Sequence, residues 1–416
     1  MKVNMGAYAD MLAARHETGE SAMRTALKSA LLGGVLAAFS LSAPALAADE
    51  TGAANAKVMP PWDLSGNPAA EQKEVIYADY RFRDGETLPQ LRIHYGTLGK
   101  PRRDAHGEID NAILVLHWTG ADGRAVLSPE YTKALYDPGR PLDANKYYLI
   151  FVDNVGHGQS SKPSDGLKAN FPHYGYNDMV DIQHRLVSET LGIRRLHAIL
   201  GMSMGGMNAW QYAEAYPDEV EGVMPVVSLP VKVSGRNLLW RRMVIDSIRS
   251  DPDWNGGNYT SAPQGWLTGY GILRLMIEGV PHLQAIIANG DDADHFIAAT
   301  RGQAARIDAN NVLYSISSSG DYDPEPKLSS IKAKLFALNF DDDEFNPDQL
   351  HILEHLISKV PHGRYVVQKG SEKSFGHLTM AHPALWADQV GEFMHWLEAG
   401  SDRRASRNSA ATVRHN

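Results

Sequence analysis

Ser203 sits in Gly201-Met202-Ser203-Met204-Gly205, a G-x-S-x-G arrangement preceded by the apolar run "LHAILGM" and followed by a stretch with helical spacing. A serine hydroxyl attacks an acyl carbon once a base removes its proton, so this motif needs a histidine within about 3 Å and a carboxylate to orient it. The glycines serve a steric end. A sharp strand-to-helix turn strains the serine backbone, and side chains two positions to either side would collide with neighbouring backbone. The following helix also aims its first amides at developing negative charge. A serine in an ordinary glycine-rich turn is the competing reading, and the strand before and helix after weigh against it.

In this context the expected chain order is nucleophile, acid, histidine. The run "LFALNF" leads straight into Asp341-Asp342-Asp343, of which Asp343 is preferred and Asp341 and Asp342 stay open. Among 17 histidines, His377 in "SFGHLTM" lies after the last strand and before the terminal helix, where the base is expected. His382 shares that loop but reads as a cap or surface residue, because "HPALW" already opens the helix. His94, His184 and His197 read as surface or satisfied core groups. An oxyanion needs two amide donors: one from Met204, and one from the loop His117-Trp118-Thr119-Gly120, where Thr119 is chosen. "GHGQSSKP", residues 156–163, is another glycine-rich turn, but it lacks the Lys-Ser/Thr signature of a phosphate cradle. No cofactor and no metal is expected, and the absence of cysteine excludes disulfides and thiolate metal sites.

These residues must be positioned by an α/β scaffold. "VIYADYRF", a "DGET" turn and "LRIHYGTL" spell an antiparallel hairpin. "AILVLHW" and "YYLIFV" are unbroken apolar runs of the kind buried on both faces of a parallel sheet. "NDMVDIQHRLVSETLG" has near-helical apolar spacing, with Asn177 as its expected N-cap and Gly192 past its end. A helix over about Met204 to Tyr216 and the strand "GVMPVVSL" follow. The alternation stops between 234 and 322, where helical segments without a strand suggest an inserted lid. Its aromatics Trp240, Trp254, Trp266 and Tyr270 read as packing. Strands resume at "AKLFALNF" and "RYVVQKG", before a last helix, "PALWADQVGEFMHWL". The expected organisation is a core over 75–233 and 323–398, a helical lid over 234–322, a linker over 48–74 and a flexible tail over 399–416; no internal repeat is visible.

The chain of 416 residues is 43% hydrophobic and 21% charged, a globular composition, and its net charge of −9 comes without the basic stripe a nucleic-acid partner would require. Arg24 and Lys28 precede "SALLGGVLAAFSL" and "APALA", which reads as a signal peptide cleaved after Ala47 and implies a periplasmic or secreted protein. About a dozen apolar residues fall short of the ~20 needed to span a bilayer, so no stable membrane anchor is expected. Asp10, Glu17 and Glu20 do not suit an n-region and point to Met23 as the start of translation. A homodimer is compatible with the sequence.

Taken together, these motifs resemble the α/β-hydrolase superfamily and, more narrowly, the homoserine O-acetyltransferase family. "GMSMGGMNAWQYAEAYPDEV" is similar to that family's nucleophile turn and helix, "YGYNDMVDIQHRLVSETLGI" to the helix before it, and "DPDWNGGNY" to part of its lid; the likeness spans most of 75–398. It implies Ser203 as nucleophile, Asp343 as acid and His377 as base. The spacing of Asp343 to Pro347 also recurs at the acid turn of α/β hydrolases, which favours Asp343 over its neighbours. Where the family usually carries an aspartate that holds the amino group of homoserine, this chain has Leu378. An ammonium facing leucine would lose its ion pair in a desolvated pocket at a cost of several kcal/mol. An exported enzyme would also be separated from acetyl-CoA, so water is the expected acyl acceptor. The expectation is therefore a serine hydrolase acting on a small ester, lactone or related acyl compound. CoA-dependent acyl transfer is the alternative enzyme, and a binding protein retaining the fold the non-catalytic one.

Overall fold

The apolar runs read as buried strands become the middle of one sheet. A computed structural model describes residues 69–399 together with Trp62, Leu64 and Asn67. The expected signal peptide, most of the expected linker and the tail beyond residue 399 lie outside the described residues.

Eight strands run in the order β1-β2-β4-β3-β5-β6-β7-β8: β1 Glu71–Arg81, β2 Thr87–Leu98, β3 Ala112–Leu116, β4 Tyr148–Val152, β5 Leu196–Met202, β6 Val220–Val226, β7 Lys334–Phe340 and β8 Gly363–Gln368. The hairpin of β1 and β2 is antiparallel and β2 joins β4 antiparallel; the other pairings are parallel. Both faces are covered, which explains why β3 and β4 read as continuous rather than alternating hydrophobic runs. Leu114, Leu116, Ile150 and Val152 join one apolar cluster with Met179 and Ile182 of helix α1 (Tyr176–Arg185) and Trp210 of helix α2 (Met204–Ala215). Facing the other way, Phe151 meets Tyr136 with ring centroids 5.6 Å apart.

Between β6 and β7 the chain forms helices α3 (Gly235–Arg249), α4 (Gln264–Ile277), α5 (Val280–Ile286), α6 (Gly290–Ala304) and α7 (Ala309–Ser317), with no strand among them. Trp240, Trp266 and Tyr270 are buried there, as packing residues should be, and Trp254 hydrogen-bonds Asn310 through its indole at 2.8 Å. The terminal helix α8 (Ala387–Glu398) returns to the sheet, where Phe393 packs near Phe336 of β7.

Two expectations need correction. The expected linker is not separate from the core: β1 begins at Glu71, and Trp62, Asn67 and Ala70 are buried. Trp62 occupies the space above two glycines, since a Cβ on Gly96 or Gly123 would lie 2.4 or 2.2 Å from its ring, and it meets His94 edge-on at 4.7 Å. Asn177 does not cap α1. That role falls to Gly175, and the Asp321 carboxylate accepts from the amides of Tyr176 and Asn177 at 2.8 and 3.0 Å, so the cap comes from a loop distant in sequence.

Candidate active site

β5 ends at Met202 and α2 begins at Met204, leaving Ser203 alone at the turn with φ 52° and ψ −112°. Such a conformation costs an L residue about 1–3 kcal/mol and persists only where its surroundings hold it. The Ser203 amide donates to the Val226 carbonyl at 2.9 Å, and the Ser203 carbonyl accepts from the Met207 amide at 2.8 Å. The turn is too tight for side chains at its flanks. A Cβ on Gly201 would sit 2.1 Å from the Gly205 carbonyl oxygen, and one on Gly205 would sit 2.4 Å from that of Leu116. Leu116, which pairs with Gly201, ends β3, so the loop carrying Thr119 starts beside the serine turn.

Two late loops bring the other groups in. Ser203 Oγ lies 2.8 Å from His377 Nε2, and His377 Nδ1 lies 2.8 Å from Asp343 Oδ2. His377 and Asp343 are 2% and 1% exposed, whereas Ser203 remains partly accessible to a substrate. Asp343 follows β7, and its Oδ1 accepts from the amides of Phe345 and Asn346 at 2.8 and 3.2 Å. Its Oδ2 also accepts from Asn346 Nδ2 at 2.9 Å. Both oxygens thus face donors, which suits an ionised carboxylate and places the imidazole hydrogen on Nδ1. The Nε2 lone pair is then directed at the serine hydroxyl, the tautomer a general base requires.

The three consecutive aspartates divide their tasks. Asp341 accepts from the Gly370 amide at 2.6 Å, and Asp342 accepts from Ser374 Oγ at 2.8 Å and the Gly376 amide at 3.1 Å. Both tie the acid turn to the loop that carries His377, and only Asp343 reaches the ring. The helical segment closes on the same place. Trp240 of α3 stacks on Phe345 at 4.8 Å, and Phe345 lies 4.5 Å from the His377 ring. Gly279, between α4 and α5, approaches so closely that a Cβ there would lie 2.6 Å from the Gly376 amide nitrogen.

Met204, the first residue of α2, has an amide with no acceptor one helical turn back, which leaves it available to an oxyanion. Thr119 lies in the turn after β3, with its side chain beside the Tyr176 hydroxyl. His117 next to it is fully buried and neutral in role: its Nε2 accepts from the Asn154 amide at 3.2 Å, which leaves Nδ1 to donate to the Trp118 carbonyl at 2.9 Å. Burial lowers its pKa, and that of His157, 5.2 Å away, is pushed down to about 3. The other histidines set aside in the sequence have partners: His94 with Asp153 at 3.0 Å, His184 with Glu219 at 2.8 Å, His197 with Glu221 at 3.0 Å, and His382 with Glu130 at 3.0 Å.

Sequence reasoning missed Asn346, Phe345, Tyr176 and Arg241. Asn346 had a legible signal, an amide side chain three residues after the chosen acid. The other three approach the site only through tertiary packing.

A family model described as alpha/beta hydrolase fold matches residues 136–375. A homoserine O-acetyltransferase of Haloferax prahovense is 35% identical, over 79% of this chain and 90% of that protein. A probable acyltransferase of Methanothermobacter thermautotrophicus is 27% identical over 72% of this chain and 90% of its own. Among solved structures, an acetylester hydrolase from Corynebacterium glutamicum superposes with a TM-score of 0.68 at 19% identity, covering 78% of this chain and 96% of that one. A homoserine O-acetyltransferase from Bacillus anthracis gives 0.67 at 22% identity, covering 78% and 97%. At these identities the two structures establish the shared fold.

Proposed function

The chain belongs to the α/β-hydrolase fold family, in its homoserine acyltransferase-like branch, and on that premise we propose that it is a serine hydrolase that cleaves a carboxylic ester, lactone or related acyl compound. The observation that carries the reading is the continuous hydrogen-bonded line from the strained Ser203 through His377 to Asp343, 2.8 Å at each link.

In the proposed cycle His377 Nε2 takes the Ser203 proton as Oγ bonds to the acyl carbon, and the carbonyl π electrons move onto oxygen. The amides of Met204 and Thr119 hold that oxyanion. Its collapse breaks the bond to the alcohol oxygen, which leaves with the proton from His377. Water then gives its proton to His377, attacks the acyl carbon and releases the acid, and the proton returns to Ser203. Asp343 stays ionised and holds the ring, stabilising the imidazolium formed at each attack.

Hydrolysis is preferred to acyl transfer on two grounds. Leu378, directly after His377, is buried and apolar where the resembling family carries an aspartate for the substrate ammonium. The N-terminal sequence also supports export, away from acyl-CoA; N-terminal sequencing of the mature protein, expected to begin at Ala48, tests that point. Acyl transfer to homoserine is the second reading, favoured by the names of the relatives. An activated ester decides between them. Hydrolysis predicts a burst of alcohol followed by turnover in water, lost in Ser203→Ala and not accelerated by homoserine. Homoserine-dependent consumption of acetyl-CoA would instead establish the transferase.

A further inference from the structure

Three lysine and arginine side chains are buried among the described residues, and two of them face a carboxylate: Lys162 pairs with Asp165 at 2.7 Å, and Arg274 pairs with Glu278. Arg241 of α3 is the exception. It is 5% exposed, and no carboxylate of the described residues forms an ion pair with it. Its Nε donates to Asn237 Oδ1 at 2.9 Å and its Nη1 to Ser319 Oγ at 3.2 Å, both neutral acceptors. Asp321, two residues beyond Ser319, is committed to the amides of α1. A guanidinium withdrawn from water with only neutral partners is costly, and the missing element is an anion.

Arg241 is tied to the candidate active site through its neighbours. The hydroxyl of Tyr176 is wholly buried and lies beside both the Arg241 guanidinium and Thr119, the expected oxyanion donor. The preceding residue, Trp240, stacks on Phe345 against the His377 ring. Arg241 therefore reaches from the helical segment that closes over His377 toward Tyr176 and the oxyanion loop beside it, and a planar fork of N–H donors there matches a carboxylate.

We propose that Arg241, with the Tyr176 hydroxyl, binds a carboxylate on the substrate, so that the preferred ester or lactone carries an acid group on its acyl or its alcohol part. This rests on the serine-hydrolase reading and narrows it: the substrate is an anion, and the buried Leu378 beside the base offers no partner for an ammonium. Arg241 and Tyr176 are binding residues, and the reacting atoms remain with Ser203 and His377.

The test compares kcat/KM within two matched pairs. Monoethyl succinate against ethyl 4-methylpentanoate places the carboxylate on the acyl side; 4-acetoxybutyrate against 4-methylpentyl acetate places it on the alcohol side. One pair should favour the anion, and Arg241→Met should shrink that preference by roughly 30- to 100-fold, the scale of a desolvated charge-assisted pair. Arg241→Lys should retain part of it, and Tyr176→Phe should reduce it less. Arg241→Met should also melt at or above the wild-type temperature, because an uncompensated buried charge is removed; if it fails to fold, the Lys and Phe variants read the same ratio. A wild-type enzyme that favours neither anion, or a preference that survives Arg241→Met, overturns the proposal. Ser203-dependent cleavage of the neutral esters tests the hydrolase reading separately.

Discussion

Asp343→Asn isolates one atom of the candidate mechanism. In the native site Oδ1 accepts two backbone amides, from Phe345 and Asn346, while Oδ2 faces His377 Nδ1 and Asn346 Nδ2. An asparagine has one acceptor oxygen, and the two fixed backbone donors claim it. The side-chain NH2 is then left facing His377 and the Asn346 amide, so His377 Nδ1 must become an acceptor and its hydrogen moves to Nε2. Ser203 Oγ, 2.8 Å from that atom, then faces a donor and has no base. A trapped wrong tautomer costs about 10⁴ in kcat, or about 5 kcal/mol at 1.36 kcal/mol per decade. The assay is steady-state hydrolysis of an activated ester, with thermal unfolding to show that the variant is folded. Asp341→Asn, which disturbs only the Gly370 amide contact, should lose less than about threefold, because its effect on the ring is indirect. A folded Asp343→Asn enzyme with activity within tenfold of wild type would refute the reasoning.

Three other perturbations test the scaffold. Gly205→Ala puts a methyl 2.4 Å from the Leu116 carbonyl oxygen, a backbone atom that cannot swing away; urea denaturation should show a loss of ~3 kcal/mol together with collapse of esterase activity. Trp62→Ala empties the niche above Gly96 and Gly123, and should cost about 3–5 kcal/mol by the same measurement; a loss below 1 kcal/mol would mean that the segment contributes little to the core. Glu214 has its pKa raised to about 8, chiefly by burial, against a nearby Lys327 that pulls it down. Its folded pKa lies above the unfolded value, so its contribution is present in full below the unfolded pKa and is lost as pH rises toward 8. Glu214→Gln should therefore flatten the fall of stability between pH 5 and 8 and gain roughly 1–3 kcal/mol over wild type at pH 9, read from denaturation across that range.

Much of the scaffold was legible because it rests on local signals. Leu114, Ile150 and their neighbours sit in unbroken apolar runs of the kind a sheet covered on both faces buries; β5 has the bounds of its run, and β3 and β4 lie within theirs. Ser203 was legible for a related reason: the glycines at 201 and 205 record, in sequence, a collision that exists in space. Asp343 and His377 could be placed because each follows a strand at the sheet edge where the serine turn must lie. What sequence could not carry was tertiary. Trp62 lies in a stretch rich in Ala, Gly and Pro without periodicity, and its burial depends on two glycines far along the chain. Asn177 looks like a cap by type, yet Asp321 performs that role from a loop 144 residues away. Arg241 carries no local mark, since nothing in the neighbouring sequence distinguishes a solvated arginine from one enclosed near Tyr176, Asn237 and Ser319.

The central claim is that Ser203 is an acyl nucleophile activated by His377. Intact-protein mass spectrometry after reaction with a fluorophosphonate, followed by peptide mapping, tests it most directly. The account predicts one adduct, on Ser203, absent from Ser203→Ala and formed far more slowly by Asp343→Asn. No adduct on the folded protein, or an adduct on a different serine, would contradict it.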